Sequence, residues 1–177
     1  MARIGPGDVT LTMADLRVVT RFAAECAAEA LPLFDGPDDG RPRAALDAAW
    51  AFADGAERSR LQRVTAVDAA RAAKEARTPA GRHAALAAAD AAASAYLHPL
   101  AKATQVGHIL RAAAHAAHAV ELADGDAPRS GDAQLDRARR RATPELVDVL
   151  CRYPRAAAGS SRVAALTAAL DDALRDR

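Results

Sequence analysis

Alanine accounts for about 50 of the 177 residues, and this excess limits the fold more than any other feature of the sequence. Alanine has the highest intrinsic helix propensity of all amino acids. Aromatic residues make up only 3% of the chain, and β-branched residues are also scarce, which disfavours a β-sandwich or a barrel. The composition therefore predicts an all-α protein, and the length favours one domain.

Helix start and stop signals divide the sequence into about eight helices joined by short loops. Thr12 and Asp15 fit a capping box, and Pro42, Pro79 and Pro144 each suit the first turn of a helix. Between such signals, apolar residues recur at helical spacing. We predict helices at about 13–34, 42–54, 57–76, 79–96, 132–142, 144–152 and 161–174. The fifth helix in chain order lies before 132–142; it runs through Gln105 and His108 and ends at about 122. They are expected to form one compact domain over residues 1–177, with a flexible lead-in at 1–11.

Basic and acidic residues nearly cancel, since 24 Lys and Arg stand against 23 Asp and Glu and give a formal net charge of +1. A protein whose main role is nucleic-acid binding usually carries a basic stripe. The densest basic run, 137–141, has Asp132 and Asp136 within one helical turn, which indicates a solvated helix face. The sequence therefore predicts no nucleic-acid partner.

No segment has the properties of a signal peptide or a membrane span. The first residues lack a long apolar stretch. The most apolar segment, 84–101, contains Asp90, His98 and Pro99, and its many alanines are too weakly hydrophobic for a good membrane helix. We therefore expect a cytoplasmic protein without a membrane partner.

All five histidines fall within the 36 residues from 83 to 118. In a helix, His115, His118 and Glu121 follow one another at one-turn spacing and form a slowly drifting stripe. Such a stripe can contribute to a metal site when a second helix supplies further ligands. The alternative is a row of exposed or hydrogen-bonded helix residues without a cofactor. The metal alternative places a divalent transition metal among His83, Asp90, His108, His115 and His118.

The run from Tyr96 to His108 concentrates polar side chains in an apolar, alanine-rich background. Pro99 breaks the helical pattern there, and Thr104, Gln105 and His108 lie within about one turn. Such a cluster can form a satisfied buried polar network or line a ligand pocket, and the sequence leaves both open. The candidate pocket residues are Tyr96, His98, Thr104, Gln105, His108 and Trp50.

No standard catalytic signature occurs in the sequence. It lacks G-x-S-x-G, H-E-x-x-H, the P-loop and the glycine-rich dinucleotide fingerprint, so no catalytic residues are assigned and enzymatic activity is left open. Cys26 and Cys151 are far apart, and each lies in an apolar helical context. We interpret both as small core residues.

Three segments, spread over nearly the whole chain, carry a family resemblance. The first includes Leu11-Thr12-Met13 and Leu31-Pro32-Leu33-Phe34 and continues to Arg41-Pro42-Arg43. The second is Tyr96-Leu97-His98-Pro99-Leu100, followed by Thr104-Gln105-Val106 and His108-Ile109-Leu110. The third is Pro144-Glu145-Leu146-Val147-Asp148-Val149-Leu150. Together they resemble a bacterial family of Imm-5-like putative immunity proteins, whose members are sometimes labelled exonuclease subunits.

The resemblance implies a small, alanine-rich helical protein that neutralises a cognate toxin by stoichiometric binding. Such inhibitors commonly rely on electrostatic complementarity with their target. The candidate contact surface is the acidic loop 35–39 together with Arg41 and Arg43. The resemblance supplies no catalytic residues and calls for no cofactor.

A second hypothesis comes from the histidines and not from the resemblance. It is a small-molecule- or metal-binding helical protein with a His-lined pocket, which includes the case of a biosynthetic enzyme. A homo-oligomer is a further alternative, because an alanine-rich helix face can pack against a second subunit as well as within one chain. The residues of one such face are Ala112, Ala113, Ala116 and Ala119.

Overall fold

The computed structural model describes residues 7–37 and 40–176, and within them eight α-helices and four short 3-10 helices follow one another. The α-helices are α1 (Met13–Ala30), α2 (Arg41–Ala53), α3 (Arg60–Ala72), α4 (Pro79–Ala93), α5 (Val106–Ala123), α6 (Pro128–Arg141), α7 (Pro144–Cys151) and α8 (Arg162–Arg175). The 3-10 helices are Leu31–Leu33, Ala73–Glu75, Ser94–Tyr96 and Ala103–Gln105. These residues contain no strand, only an isolated bridge between Asp8 and Leu100. The prediction of an all-α fold with about eight helices is confirmed.

Side-chain caps mark most helix starts, as the sequence predicts. Thr12 and Asp15 form the predicted capping box at the start of α1. Thr78, Thr143 and Ser161 each accept a backbone N–H at the starts of α4, α7 and α8. Each cap satisfies an amide that has no acceptor within its own helix. Local chemistry therefore sets where these helices begin.

Two helix starts differ from the predicted ones. Ser59 and Gln62 form a second capping box, so that α3 begins at Arg60 and not at 57. Helix α6 begins at Pro128, before the predicted 132. In both cases a capping residue or a proline at the first turn gives the physical reason.

Three helix ends also differ. The predicted helices 13–34, 57–76 and 79–96 are shorter, because the last turn of each is a separate 3-10 helix. A tighter 3-10 turn is common at the end of an α-helix. In the first of them Pro32 has no N–H to continue the α-helical hydrogen bonds.

Helix α5 lies at the centre of the fold and packs against α1, α4, α6 and α8. Its seam with α4 consists of small residues, since Ala84, Ala87 and Ala91 share one buried cluster with Ala112 and Ala116. Small side chains allow a short distance between helix axes. The larger buried side chains collect in another cluster that includes Phe22, Phe52, Ile109, Leu110 and Tyr153. None of the helices in the described part of the chain is both long and apolar enough to cross a membrane.

Two predictions fall partly outside the described residues. Of the expected flexible lead-in 1–11, residues 1–6 lie outside them. Further along, the Val9 N–H donates a hydrogen bond to the Pro99 carbonyl at 2.8 Å, and Leu11 packs against the core. Of the acidic loop, Asp38 and Asp39 also lie outside the described residues.

The two cysteines differ, and the prediction that both belong to the core is wrong for Cys151. Cys26 is buried on α1, whereas Cys151, the last residue of α7, is exposed. The buried side of α7 is formed by Leu146, Val149 and Leu150. Cys151 lies about 100° around the helix from Leu150 and so points away from the core.

Candidate functional site between helices α4 and α5

Helices α4 and α5 bring three of the five histidines together. His83 and Asp90 lie seven residues apart on α4 and share a face, while His115 and His118 lie on α5. Because the alanines of the seam keep the two helices close, the larger imidazole rings reach across it. We call His83, His115 and His118 the histidine cluster.

The rings of the histidine cluster are in direct contact. Nδ1 of His83 lies 2.8 Å from Nδ1 of His115, a hydrogen-bond distance at which one nitrogen donates and the other accepts. The centroids of these two rings are 5.0 Å apart. His83 also contacts His118 edge to face, with 4.5 Å between centroids. His83 therefore links the two histidines of α5.

Asp90 joins the cluster to an arginine on the opposite helix. Arg111 donates two hydrogen bonds to the Asp90 carboxylate, one from Nε at 2.9 Å and one from Nη2 at 2.6 Å. This bidentate geometry fixes the orientation of both side chains. Oδ2 of Asp90 lies 3.6 Å from Nε2 of His115. The Asp90 carboxylate thus forms an ion pair with Arg111 and also borders the histidine cluster at His115.

Glu121 closes the other end of the network. It is a buried carboxylate with 4% exposure, and its Oε2 lies 2.9 Å from Nδ1 of His118. Nε of Arg162 donates to both of its oxygens at 3.1 Å. Burial raises the pKa of Glu121, but the hydrogen bonds from Arg162 and His118 outweigh this and hold the pKa below its ordinary value. Glu121 is therefore a charged group matched by Arg162.

His83 and His115, which face each other across the seam, are neutral near pH 7. Burial lowers the pKa of His83 to about 4, and the neighbouring His115 and His118 act in the same direction. Burial also lowers the pKa of His115 to about 4, although Asp90 opposes it. Neutral imidazoles can share hydrogen bonds without mutual charge repulsion. The cluster is consequently suited to joining two helices at neutral pH.

A second pair of histidines lies at the start of α5. The backbone N–H of His98 donates to Oε1 of Gln105 at 3.1 Å, and the Tyr153 hydroxyl donates to the His98 carbonyl at 2.8 Å. The rings of His98 and His108 are 6.3 Å apart between centroids. Nδ1 of His108 is buried without a hydrogen-bond partner in the described residues, and burial lowers the pKa of this ring.

The other predicted pocket residues make different contacts. The Tyr96 hydroxyl donates to the Ser59 carbonyl at 2.7 Å, and Thr104 is exposed. Trp50 packs against the alanine cluster, and the Arg21 guanidinium lies 5.6 Å above its ring. The structure thus brings His98, Gln105 and His108 near one another but engages Tyr96 and Trp50 elsewhere. A ligand pocket formed by the six residues stays a prediction.

The predicted metal ligands divide into two groups. His83, Asp90, His115 and His118 belong to the network, whereas His108 contacts His98. Within residues 7–37 and 40–176, no three side chains of His, Cys, Asp or Glu form a group that could hold a metal ion. The metal alternative therefore stays a prediction from the sequence.

A basic groove of about 560 Å³ borders the histidine cluster at His83. Its walls include Lys74, Arg77 and Arg82, together with the N-terminal turn of α4 at Thr78. Because His83 lines this groove and is only partly buried, solvent reaches one edge of the cluster.

The predicted toxin-contact surface is largely tied to the fold. Oδ1 of Asp35 accepts the Arg77 N–H at 3.0 Å, and Arg41 donates two hydrogen bonds to Glu75, at 3.1 and 2.8 Å. These contacts join the α1–α2 connection to the α3–α4 connection. Arg43 is exposed on the outside of α2.

Sequence reasoning did not identify Arg111 and Arg162 as members of the network. Arg111 is 21 positions from Asp90, and Arg162 is 41 positions from Glu121. Such pairs leave no pattern of local spacing in the sequence, because they depend on how α5 packs against α4 and α8. The one-turn spacing of His115, His118 and Glu121 in the sequence did indicate the part of the network that lies on α5.

The described residues thus form an all-α protein whose two central helices are joined by a histidine and carboxylate network. The family model described as Imm-5 like putative immunity protein matches residues 10–145, and the chain belongs to this family. The match confirms the resemblance and extends from the residues before α1 to the first turn of α7. No curated protein matches the chain, and no solved structure matches it either.

Proposed function

We propose that this protein is an immunity protein that neutralises a cognate toxin by stoichiometric binding. The observation that carries the proposal is the family match over residues 10–145. This range contains α1 to α6, and therefore the whole seam between α4 and α5.

The contacts of the seam support a role as a binding scaffold. Arg111 pairs with Asp90, and Arg162 pairs with Glu121, so that each of the two carboxylates has a cationic partner from another helix. The imidazoles between them contact one another. A scaffold held in this way loses little conformational freedom on association, and preorganisation of this kind increases affinity.

Co-expression with candidate toxins tests the proposal directly. Toxin domains encoded beside the gene are expressed in a sensitive bacterium with the chain or with a matched plasmid that carries an early stop codon. We expect one of these toxins to arrest growth with the stop-codon plasmid and to be tolerated with the intact chain.

The purified pair then gives the stoichiometry. We expect a complex of one immunity protein and one toxin by light scattering coupled to gel filtration, and a toxin activity that falls to zero at equimolar addition. If the chain relieves the growth arrest caused by none of the neighbouring toxins, or relieves it without forming a complex, the proposal is wrong.

The alternative of a small-molecule- or metal-binding protein rests on the neutral histidines beside the basic groove. Calorimetric titration of the purified protein with zinc or nickel chloride tests its metal form. Binding at one ion per chain that is lost in His83→Ala, but kept in His98→Ala, would support this alternative. Binding that is equal in both variants would count against a site at the histidine cluster.

A further inference from the structure

Helix α3 lies on the outside of the fold. It packs against α2, α4 and the short Ala73–Glu75 helix. Its inward face carries the buried residues Gln62, Thr65, Ala66, Ala69 and Ala72. The opposite side of α3 therefore faces solvent.

The outward face of α3 carries three large apolar side chains, although the solvent face of a surface helix is ordinarily polar. Leu61, Val64 and Val67 are 53%, 41% and 46% exposed, and they make up three of the five large hydrophobic side chains that are exposed in the described residues. At 100° per residue, Arg60, Val64, Val67 and Arg71 fall in one row opposite the buried face. We call Arg60, Leu61, Val64, Val67 and Arg71 the α3 surface.

Basic side chains surround these apolar ones. Residues 60–74 contain four basic residues and one acidic residue, whereas the whole chain has a formal net charge of +1. Arg60, Arg63, Arg71 and Lys74 are all exposed. The acidic residue is Asp68, which pairs with Arg71 at 3.1 Å. Residues 60–74 therefore carry a local excess of positive charge, four basic residues against one acidic, beside the exposed valines.

We propose that the α3 surface is a docking site for a partner protein whose contact surface is acidic around an apolar centre. The proposal rests on the proposed function for the identity of this partner, which is then the toxin. Exposed apolar patches rimmed by polar residues commonly mark protein–protein contacts. Val64 and Val67 would be covered by the partner, and Arg60 and Arg71 at the two ends of the row would meet its carboxylates.

A second copy of the chain fits this surface less well. Two α3 surfaces facing each other would bring arginines of like charge together, which opposes association. An acidic partner removes this repulsion and gains attraction at the same positions. The charge of the surface thus selects a different protein as the occupant.

Binding of variants to the neutralised toxin tests the proposal. The double variant Val64→Glu/Val67→Glu places two carboxylates on the α3 surface, and Ala165→Glu/Ala169→Glu places two at exposed positions of α8 as a matched control. We expect the α3 variant to bind the toxin about 100-fold more weakly, and the control to bind like the wild type. Thermal melts establish that both variants are folded.

Charge reversal adds a second readout. In Arg60→Glu/Arg71→Glu we expect an association rate about tenfold lower at low salt, and a smaller difference at high salt because salt screens the attraction. A reversal that leaves the rate and its salt dependence unchanged would contradict an acidic partner at this surface.

The outcomes separate this inference from the proposed function. If the folded Val64→Glu/Val67→Glu variant still neutralises the toxin and binds it as tightly as the wild type, the α3 surface is not the docking site, while the immunity function stands. If the wild type neutralises no toxin, the immunity function fails. The docking site is then tested separately in the host cell, with a photo-crosslinking residue at position 64 on the α3 surface and, as a control, one at position 169 on α8. A position-64 adduct whose purified acidic partner loses binding to Val64→Glu/Val67→Glu supports the docking site, and the absence of such an adduct overturns it.

Discussion

Nδ1 of His83 on α4 and Nδ1 of His115 on α5 lie 2.8 Å apart across the central seam of the fold. The hydrogen bond between them needs one nitrogen that carries a proton and one that does not. Burial lowers the pKa of both rings to about 4. The contact is therefore stable at neutral pH, and protonation of both rings would replace it with repulsion.

The free energy of unfolding is expected to fall between pH 7.5 and pH 5. In the unfolded chain His83 and His115 have their ordinary pKa of 6.5 and bind protons below it, whereas in the folded protein they stay neutral until about pH 4. The unfolded state thus binds more protons, and stability decreases as the pH falls. We expect a loss on the order of 2 kcal/mol by urea unfolding, after a reduction for the partial exposure of His83.

The double variant His83→Gln/His115→Gln is the control for this effect. It removes both titrating groups but keeps side chains that form hydrogen bonds, so its stability should change much less over the same interval. His108, whose pKa is also lowered, is present in both proteins. An equal pH dependence of the variant and the wild type would contradict the assignment to the histidine cluster.

Gly131→Ala should destabilise the protein, because Gly131 of α6 packs directly against the buried Glu121. A Cβ atom at this position would overlap the Glu121 side chain, which Arg162 and His118 hold in place. We expect a loss of about 1–3 kcal/mol in urea unfolding.

Gly107→Ala is the matched change in a second helix. There a Cβ atom would lie 3.4 Å from Nη1 of Arg111, which is an ordinary van der Waals contact. Alanine also restricts the unfolded chain more than glycine does, so this variant should gain up to about 1 kcal/mol. Equal stabilities of the two variants would show that Glu121 moves freely.

Tyr153→Phe should cost about 1 kcal/mol of stability. Tyr153 is 2% exposed, and its hydroxyl satisfies the His98 carbonyl at the connection before α5. Tyr96→Phe is the control, because the Tyr96 hydroxyl bonds the Ser59 carbonyl at an exposed position where water can replace it. A larger loss for Tyr96→Phe than for Tyr153→Phe would argue that the Tyr153 contact is not the one that holds this connection.

One thiol per native chain should react with a disulfide reagent such as DTNB. Cys151 is exposed, whereas Cys26 is buried, and burial raises the pKa of Cys26 to about 12. A thiol needs its thiolate form and access to react. We therefore expect Cys151→Ser to be unreactive until denaturant is added. Rapid labelling of native Cys151→Ser would show that α1 opens readily.

Most helix starts were predictable from the sequence. Thr12 with Asp15, and Pro79 and Pro144, indicate where helices begin because a cap or a proline acts on the nearest few amides. The 3-10 turns Ala73–Glu75 and Ser94–Tyr96 were not predicted, since the last turn of an α-helix can take either form and the choice depends on packing.

The membership of the histidine network was predictable only in part. The spacing of His115, His118 and Glu121 places them along one side of α5. The contact between His83 and His115 also needs the register of α4 against α5, which alanine methyl groups set by close packing and which no local pattern records.

By itself, the sequence determined the all-α class, most helix starts and the family, because helix propensity and capping act over a few residues and the resemblance lies in short segments of the chain. The predicted burial of Cys26 is confirmed, but only the tertiary structure decided that Cys151 and Val64 are exposed. It also decided that Arg111 and Arg162 complete the network. These outcomes depend on contacts between residues distant in the chain, where an alanine-rich surface offers several similar ways to pack.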